Sequence, residues 1–364
     1  MKDFENEYME RAYELALKGQ GRVSPNPAVG ALIVKNNKII GEGYHKKFGS
    51  NHAEVEALRN CKVSPEDSTL YITLEPCNHH GLTAPCVTQI VKSKISRVVI
   101  GQRDYSVKEN LKGAVALRQA KIKVEFVTGE MKEQCHYLVA DFHKFQKERK
   151  PWVILKFAQS IDGKVRSNSG DSEWITSPKL RRIGHNYRRS VDAILVGSNT
   201  VKIDDPLLTA RFGPKHDNLI RLIVDSKLAI SSKSQISLTA KKYKTIIFTV
   251  EAPLSRKAKR LKDKGIEIVQ ARGSDGKVNL HKLLDELGSR GVMRLLVEGG
   301  PKISTSFFDA KLMDQLLFFI SPKVIGGRHS SIAGRGVDSM DEVINMSSKS
   351  IEVVDDEIVV NGFI

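Results

Sequence analysis

Four residues near the start of the chain have the types and order that suit hydrolysis at a metal ion. The stretch "NHAEVEA" (51–57) carries His52 and Glu54, and "YITLEPCNHHGLTAPCV" (71–87) carries Cys77 and Cys86. One imidazole and two thiolates give three ligands to a zinc ion, whose preferred number is four. A structural site closes the fourth position with another Cys or His, whereas a catalytic one leaves it to water. Zinc lowers the pKa of that water from about 15.7 to about 7. Both cysteines follow a proline and precede helical sequence, and helix N-termini favour thiolates. Glu54 then serves as a proton carrier rather than a ligand, taking a proton from the water and giving one to a leaving nitrogen.

A cysteine pair alone more often packs as two small apolar residues. His-x-Glu followed by Pro-Cys and a second Cys, in that order, makes the metal reading the stronger one. Cys61 and Cys135 have no thiol near them in sequence and are expected to be ordinary packed residues. Four cysteines in 364 residues are no disulfide scaffold, and clustered thiols in a reducing compartment are more often ligands or catalytic groups. The first residues, "MKDFENEYMERAYELALKG", lack the apolar core of a secretory signal. The longest apolar runs, such as "AILVG" (193–197), are too short to span a bilayer. A cytoplasmic protein is expected, with no membrane partner.

The elements that must hold these residues follow from pattern. A helix is predicted over about 5–18, stopped by Gly19 and Gly21. "AVGALIVK" and "KIIGEGYH" flank Asn36-Asn37 as a hairpin. Helical and strand patterns then alternate through "HAEVEALRN", "TLYITL", "PCVTQIVKS", "RVVIGQ", "AVALRQAK" and "IKVEFV". That is a sheet covered by helices, an α/β/α arrangement. A charged helical stretch, 130–150, ends at Pro151 and marks the boundary between a domain 1–149 and a domain 150–364. The second domain is again α/β, with strands at "WVILKFA", "DAILVG", "NLIRLIVDS", "KTIIFTV" and "RLLVEGG". Ser177 and Pro178 cap and open a helix between the first two.

Within "WVILKFAQSIDGKV" (152–165), alternation puts Val153, Leu155 and Phe157 on one face and Ile154, Lys156 and Ala158 on the other. A lysine inside an apolar strand either reaches past the sheet edge or answers an anion or a function. Gly299-Gly300, after a strand and before a helix, lets backbone N–H groups approach a pyrophosphate. No full G-x-G-x-x-G follows a strand, so a Rossmann dinucleotide domain is disfavoured.

The residues "HAE" and "EPC" resemble the cytidine-deaminase-like superfamily. Eight residues separate the cysteines, "NHHGLTAP", where nucleic-acid deaminases usually have two. With "SPNPAVGALIV" (24–34), this spacing resembles the deaminase half of the bifunctional riboflavin biosynthesis family. "GDSEWIT" (170–176), "HNYRRSVDAILVGSNTVKIDDPLLTAR" (185–211), "IVDS" (223–226) and "VEGGPKISTSF" (297–307) resemble its reductase half.

The resemblance implies a cytidine-deaminase-like α/β/α sandwich followed by a dihydrofolate-reductase-like α/β domain. It implies zinc-dependent deamination of a diamino-pyrimidinone ribosyl phosphate and then reduction of the ribose by NADPH. Asn26, His79 and Asp104 would contact the pyrimidine substrate, with Asn26 aimed by Pro25 and Pro27. Ala158, Trp174, Thr200, Asp204, Ser226 and the run Gly300, Pro301, Lys302, Ile303, Ser304, Thr305 and Ser306 would line the NADPH site. Ser172, Arg188, Leu208, Arg211 and Glu298 would face the second substrate, the arginines suiting its phosphate. Lys156 and Asp204 would orient or polarise the ribose. A homodimer or homotetramer is implied as well. Two positions depart from the family pattern, Leu82 where Lys or Arg is usual and Ser106 where Asn is usual. They set up an alternative, a reductase whose deaminase half is impaired or altered in specificity. Lys112, kept with Gly113, or a shifted basic residue would compensate.

The net charge of +16 favours anionic partners. The densest basic stretch, "RKAKRLKDKG" (256–265), reads as the solvated face of an exposed helix. An RNA-editing deaminase is the competing reading, and no aromatic residues interleave with that stretch to form a stacking platform. The cysteine spacing argues the same way, so no nucleic-acid partner is expected.

Overall fold

The computed structural model describes residues 3–79, 84–106, 112–213 and 218–364. The chain divides into two compact units, Met1–Arg149 and Lys150–Ile364. Among the described residues no helix is long and apolar enough to cross a membrane.

The first unit runs α1 (Asp3–Leu17), β1 (Gly30–Lys35), β2 (Lys38–Tyr44), α2 (Ala53–Arg59), β3 (Thr69–Leu74), α3 (Cys86–Lys92), β4 (Arg97–Gln102), α4 (Gly113–Gln119), β5 (Lys123–Phe126), α5 (Glu130–Leu138) and α6 (Ala140–Glu148). Its sheet has the order β2-β1-β3-β4-β5. β1 is antiparallel to β2 and β3, while β3, β4 and β5 are parallel. Strand residues alternate between the two faces. Ile33, Ile72, Val98 and Ile100 pack under α2, α3 and α4, and Leu32, Tyr71 and Val99 pack against Met9, Ala12 and Cys135 of α1 and α5. The stretch 130–150, expected as one helix, is two, broken at the buried Val139. The break lets Leu138 and Val139 join the small core under Leu74.

The second unit runs β6 (Trp152–Ser160), α7 (Pro178–Arg189), β7 (Ala193–Gly197), α8 (Ser198–Asp204), β8 (Ile220–Val224), α9 (Gln235–Leu238), β9 (Thr245–Thr249), α10 (Arg256–Lys262), β10 (Glu267–Gln270), α11 (Leu280–Ser289), β11 (Arg294–Val297), α12 (Pro301–Asp309), β12 (Gln315–Ser321), β13 (Ser347–Val354) and β14 (Glu357–Phe363). The sheet order is β10-β9-β8-β7-β11-β6-β12-β14-β13. It is parallel from β10 to β12, and β14 and β13 add antiparallel at one edge. Ser177 caps α7, its hydroxyl accepting from Leu180 N–H at 3.2 Å. The α10 helix buries Ala258 and Leu261 and turns its basic residues outward, as a solvated face should.

Both sheets gather chemistry at one end. In the first unit, the loops after β3 and β4, the start of β1 and the N-termini of α2 and α3 carry the singled-out residues. In the second, they lie in the later part of β6 and in the segments that follow β6, β7, β8 and β11. Carboxyl ends of parallel strands open naturally into a ligand crevice.

Candidate active sites

His52 stands at the N-cap of α2, Cys77 in the loop after β3, and Cys86 at the first turn of α3 behind Pro85. The three ligating atoms lie within 4.8 Å of one another. His52 Nδ1 is 3.6 Å from Cys77 Sγ and 3.3 Å from Cys86 Sγ. Residues 25 positions apart or more meet because α2 and β3 share the sheet's end, and Cys86 N–H donates to Cys77 Sγ at 3.4 Å.

The two sulfurs compete for one negative charge. The hydrogen bond from Cys86 draws Cys77 down to about 4, while the same contact and then burial drive Cys86 far above the ordinary thiol range. Both can ionise together only beside a cation, so the donor set fits a zinc ion. Glu54, 3% exposed at the second position of α2, is pushed up to about 7 by burial and then by the charge on Cys77. A carboxyl poised near neutrality suits proton transfer.

These groups open into a cavity of about 360 Å³ that Asn26, His79, Asp104 and Ser106 also line. Among the wall residues that sequence reasoning missed are His45 and Glu75. His45 Nδ1 donates to the carbonyl of Asn51 at 2.9 Å, which leaves Nε2 to accept from Asn26 Nδ2 at 3.1 Å. Burial keeps that imidazole below its ordinary pKa, hence neutral. The amide of Asn26 is thus fixed with its oxygen free for a ligand. Glu75 accepts Asp104 N–H at 3.1 Å and Ala114 N–H at 2.9 Å. It ties the substrate loop to the Cys77 loop, and the Cys77–Lys112 bridge adds a second tie. At Gly113 the chains are so close that a Cβ would lie 1.9 Å from the carbonyl oxygen of Pro76. Neither His45 nor Glu75 carries a periodic signal, although Glu75 stands in "EPC" itself.

Ser106 spends both its N–H (2.8 Å) and its hydroxyl (2.5 Å) on Asp104 Oδ1. Ser106 thus holds one oxygen of Asp104 with two bonds. Lys112 is buried at the N-cap of α4 and does not line the cavity. His80 and Leu82 lie outside the described residues.

In the second unit a groove of about 1630 Å³ takes in Lys156, Ala158, Ser172, Trp174, Thr200 and Asp204. Arg188, Arg211, Ser226, Glu298 and Gly300 line it too, with Pro301, Lys302, Ile303, Thr305 and Ser306 of α12. Two expected residues do not. Leu208 is 3% exposed and packs in the core beneath the sheet. Ser304 is fully buried, and its hydroxyl donates to the Gly299 carbonyl at 3.2 Å, so it braces the glycine turn from behind. Lys156 follows the expected alternation: Val153, Leu155 and Phe157 enter one core, while Ile154 and Ala158 pack on the other.

Lys156 Nζ sits 4.8 Å from the ring centre of Phe319. Burial lowers its pKa, Glu298 pulls the other way, and Arg188 adds to the fall. Glu298 and Arg188 form a two-pronged pair, Nε to Oε1 at 3.1 Å and Nη2 to Oε2 at 2.7 Å, and Arg188 Nη1 also donates to Thr209 O at 3.1 Å. Burial alone would raise Glu298; the charges of Arg188 and Lys156 outweigh it and hold the carboxyl at about 2. Most of the Arg188 fork is thereby committed within the protein. Arg211 is engaged as well, its backbone N–H reaching His185 Nδ1 at 3.1 Å and its Nε reaching Nε2 at 3.4 Å. His185 is held down to about 4 by burial and by the two arginines. Gly299 has no room for a side chain, since a Cβ would meet Ile303 Cγ2 at 1.7 Å. Gly300 caps α12, with its N–H 3.4 Å from Thr200 Oγ1. A bare backbone at a helix N-terminus fits a dinucleotide's pyrophosphate.

Residues 2–102 match the cytidine and deoxycytidylate deaminase zinc-binding region, and residues 151–360 match the RibD C-terminal domain. The riboflavin biosynthesis protein RibD of Aquifex aeolicus is 38% identical over 360 residues, 99% of this chain and 98% of that protein. That of Bacillus amyloliquefaciens is 38% identical over 356 residues, 97% of this chain and 95% of that protein. A crystal structure of a diaminohydroxyphosphoribosylaminopyrimidine deaminase/5-amino-6-(5-phosphoribosylamino)uracil reductase from Thermotoga maritima is similar with a TM-score of 0.83 at 34% identity, over 98% of each chain. RibD of Acinetobacter baumannii is similar with a TM-score of 0.79 at 26% identity, over 99% of this chain and 98% of that one.

Proposed function

This chain belongs to the RibD family, the bifunctional deaminase–reductases of riboflavin biosynthesis, and from that premise we propose how its residues divide the two reactions. The first unit, 1–149, hydrolyses the amino group of 2,5-diamino-6-(5-phosphoribosylamino)pyrimidin-4(3H)-one. The second, 150–364, reduces the ribose of the resulting 5-amino-6-(5-phosphoribosylamino)uracil to a ribityl chain.

In the first unit His52, Cys77 and Cys86 would hold zinc, which would supply the Lewis acid that makes water nucleophilic at neutral pH. Glu54 takes the proton from the attacking water and returns one to the departing amine nitrogen. Its burial favours that relay, because a carboxyl with a raised pKa is both a competent base and a competent acid near pH 7. Asn26 presents its amide oxygen to the pyrimidine, and His79 and Asp104 face the same cavity. Ammonia leaves.

In the second unit Gly300 and the first turn of α12 would receive the pyrophosphate of NADPH, and Ala158, Trp174, Thr200 and Ser226 would line its path. The bound cofactor would supply the hydride that reduces C1′. Lys156 holds an ammonium in a partly dry wall beside Phe319, where it polarises the ribose oxygen as C1′ is reduced. Asp204 lies on the same groove and shares the orientation of the sugar. Ser172, Arg188, Arg211 and Glu298 form the substrate side; Arg188 and Arg211 retain N–H groups beyond those spent on Glu298 and His185. The chain works in the cytoplasm as a homo-oligomer.

The observation that carries this reading is the convergence of His52, Cys77 and Cys86 beside a buried Glu54. Nothing in the geometry or the relatives supports an impaired deaminase half. Glu54→Gln is expected to lower ammonia release by at least about a thousandfold, keep one zinc per chain and leave NADPH oxidation intact. Deamination that persists in this variant overturns the role of Glu54. Loss of both activities counts against two separate sites.

A further inference from the structure

We propose that Arg166, Arg328 and His329 form a phosphate-binding site on the wall of the reductase groove, distinct from Arg188 and Arg211. The proposal rests on the reductase reading for the groove's ligands, not for the cluster itself. All three residues line the groove.

They are held there by backbone. Asp162 accepts Ile325 N–H at 3.1 Å and Gly326 N–H at 2.7 Å, pinning the loop after β12 to the loop after β6. Next along, Val165 N–H donates to His329 O and Ser331 N–H to Gly163 O, both at 3.0 Å, around an antiparallel bridge between Lys164 and Ser330. Lys164 Nζ donates to Ser330 Oγ at 3.2 Å. Arg166 and Arg328 each lie two residues from that bridge, one on each segment. Desolvation holds the imidazole of His329 below its ordinary pKa, and the charges of Arg166 and Arg328 add to the fall.

Two guanidinium charges gathered on one patch of the groove wall repel. A carboxylate would normally relieve this, yet neither arginine makes an ion pair among the described residues. The nearest acid in sequence, Asp162, is committed to backbone N–H groups and to Ser160 Oγ at 2.5 Å. Arg166 Nε is buried without an acceptor. An oxyanion beside the guanidiniums relieves the repulsion, since planar forks match phosphate oxygens. The same segment runs on to Ala333, whose N–H donates to Thr305 Oγ1 of α12 at 3.0 Å. The cluster therefore flanks the helix assigned to the pyrophosphate. The phosphate it takes belongs to the dinucleotide or to the sugar substrate.

The test is equilibrium titration of the full chain with NADPH, NADH and ribose 5-phosphate, using wild type, Arg166→Ala/Arg328→Ala and Arg166→Lys/Arg328→Lys. The alanine pair is expected to weaken at least one probe by about tenfold or more, and the lysine pair to restore most of the loss. Weakening of NADPH alone assigns the 2′-phosphate, of both dinucleotides the diphosphate, and of ribose 5-phosphate the substrate's phosphate. Unchanged affinity for all three probes overturns the proposal, as does a lysine pair as weak as the alanine pair. A wild type that binds neither dinucleotide overturns the reductase reading instead, and ribose 5-phosphate then decides the cluster alone.

Discussion

Asn26 shows how much of this chemistry depends on a residue that does none of it. A carboxamide can present oxygen or nitrogen to a ligand, and rotation exchanges them. Here Asn51 O fixes the proton on His45 Nδ1, and the bare Nε2 fixes the Asn26 amide. Changing His45→Phe keeps the ring volume and removes the acceptor. It is expected to lower kcat/KM for deamination by roughly ten- to a hundredfold, through lost orientation of the pyrimidine, while zinc content stays at wild-type level. Steady-state kinetics beside elemental analysis checks it; unchanged kinetics removes His45 from the site. The metal trio was legible in the sequence because ligand type and order are themselves the signal. His45 was not, because "GYHKKFG" has no feature that marks it until β2 and α2 bring it beside Asn26.

At the scale of elements, α7 and β11 are joined by the Arg188–Glu298 pair, two residues 110 positions apart. The sequence marked both as substrate-facing but could not show that they face each other. Glu298 titrates at about 2, below its ordinary carboxylate value. A depressed folded-state pKa gives stability that is present above the unfolded value, near 4.3, and lost as pH falls through about 2. Glu298→Gln leaves Arg188 buried and half-paired, which costs about 3–5 kcal/mol at pH 7. The gap between wild type and variant in urea midpoint should shrink steadily as the pH is lowered from 5 towards 2. A gap that stays constant over that range contradicts the pairing. Strands with continuous apolar runs, β7, β9 and β11, were readable from pattern. The edge strand β13, "SSKSIEVV", was not, because an exposed edge carries polar residues and Lys349 where a core strand carries Val or Ile. Ser304 and Leu208 do not line the groove for a related reason: a position inside a motif does not reveal which side of its helix or turn faces outward.

Across the whole molecule, each unit has cores of its own, so damage at one site need not unfold the other. Ile33, Ile72 and Ile100 belong to a cluster of residues from the first unit alone, and Ile194, Ile223 and Phe319 to one from the second. Lys156→Ala is accordingly expected to cut NADPH oxidation by about a hundredfold or more while ammonia release continues at the wild-type rate. Unchanged oxidation removes Lys156 from the mechanism. The alternation of strands and helices made two α/β layers legible, and the break after the charged stretch 130–150 suggested where one ends. The antiparallel addition of β14 and β13 came only with the structure.

The most direct measurement supplies the diamino-pyrimidinone ribosyl phosphate to purified zinc-loaded protein and follows ammonia and NADPH together. Ammonia released without NADPH, then one NADPH consumed for each ammonia once the cofactor is added, is the predicted result. NADPH consumed with no ammonia, or no reaction of either kind, contradicts the account.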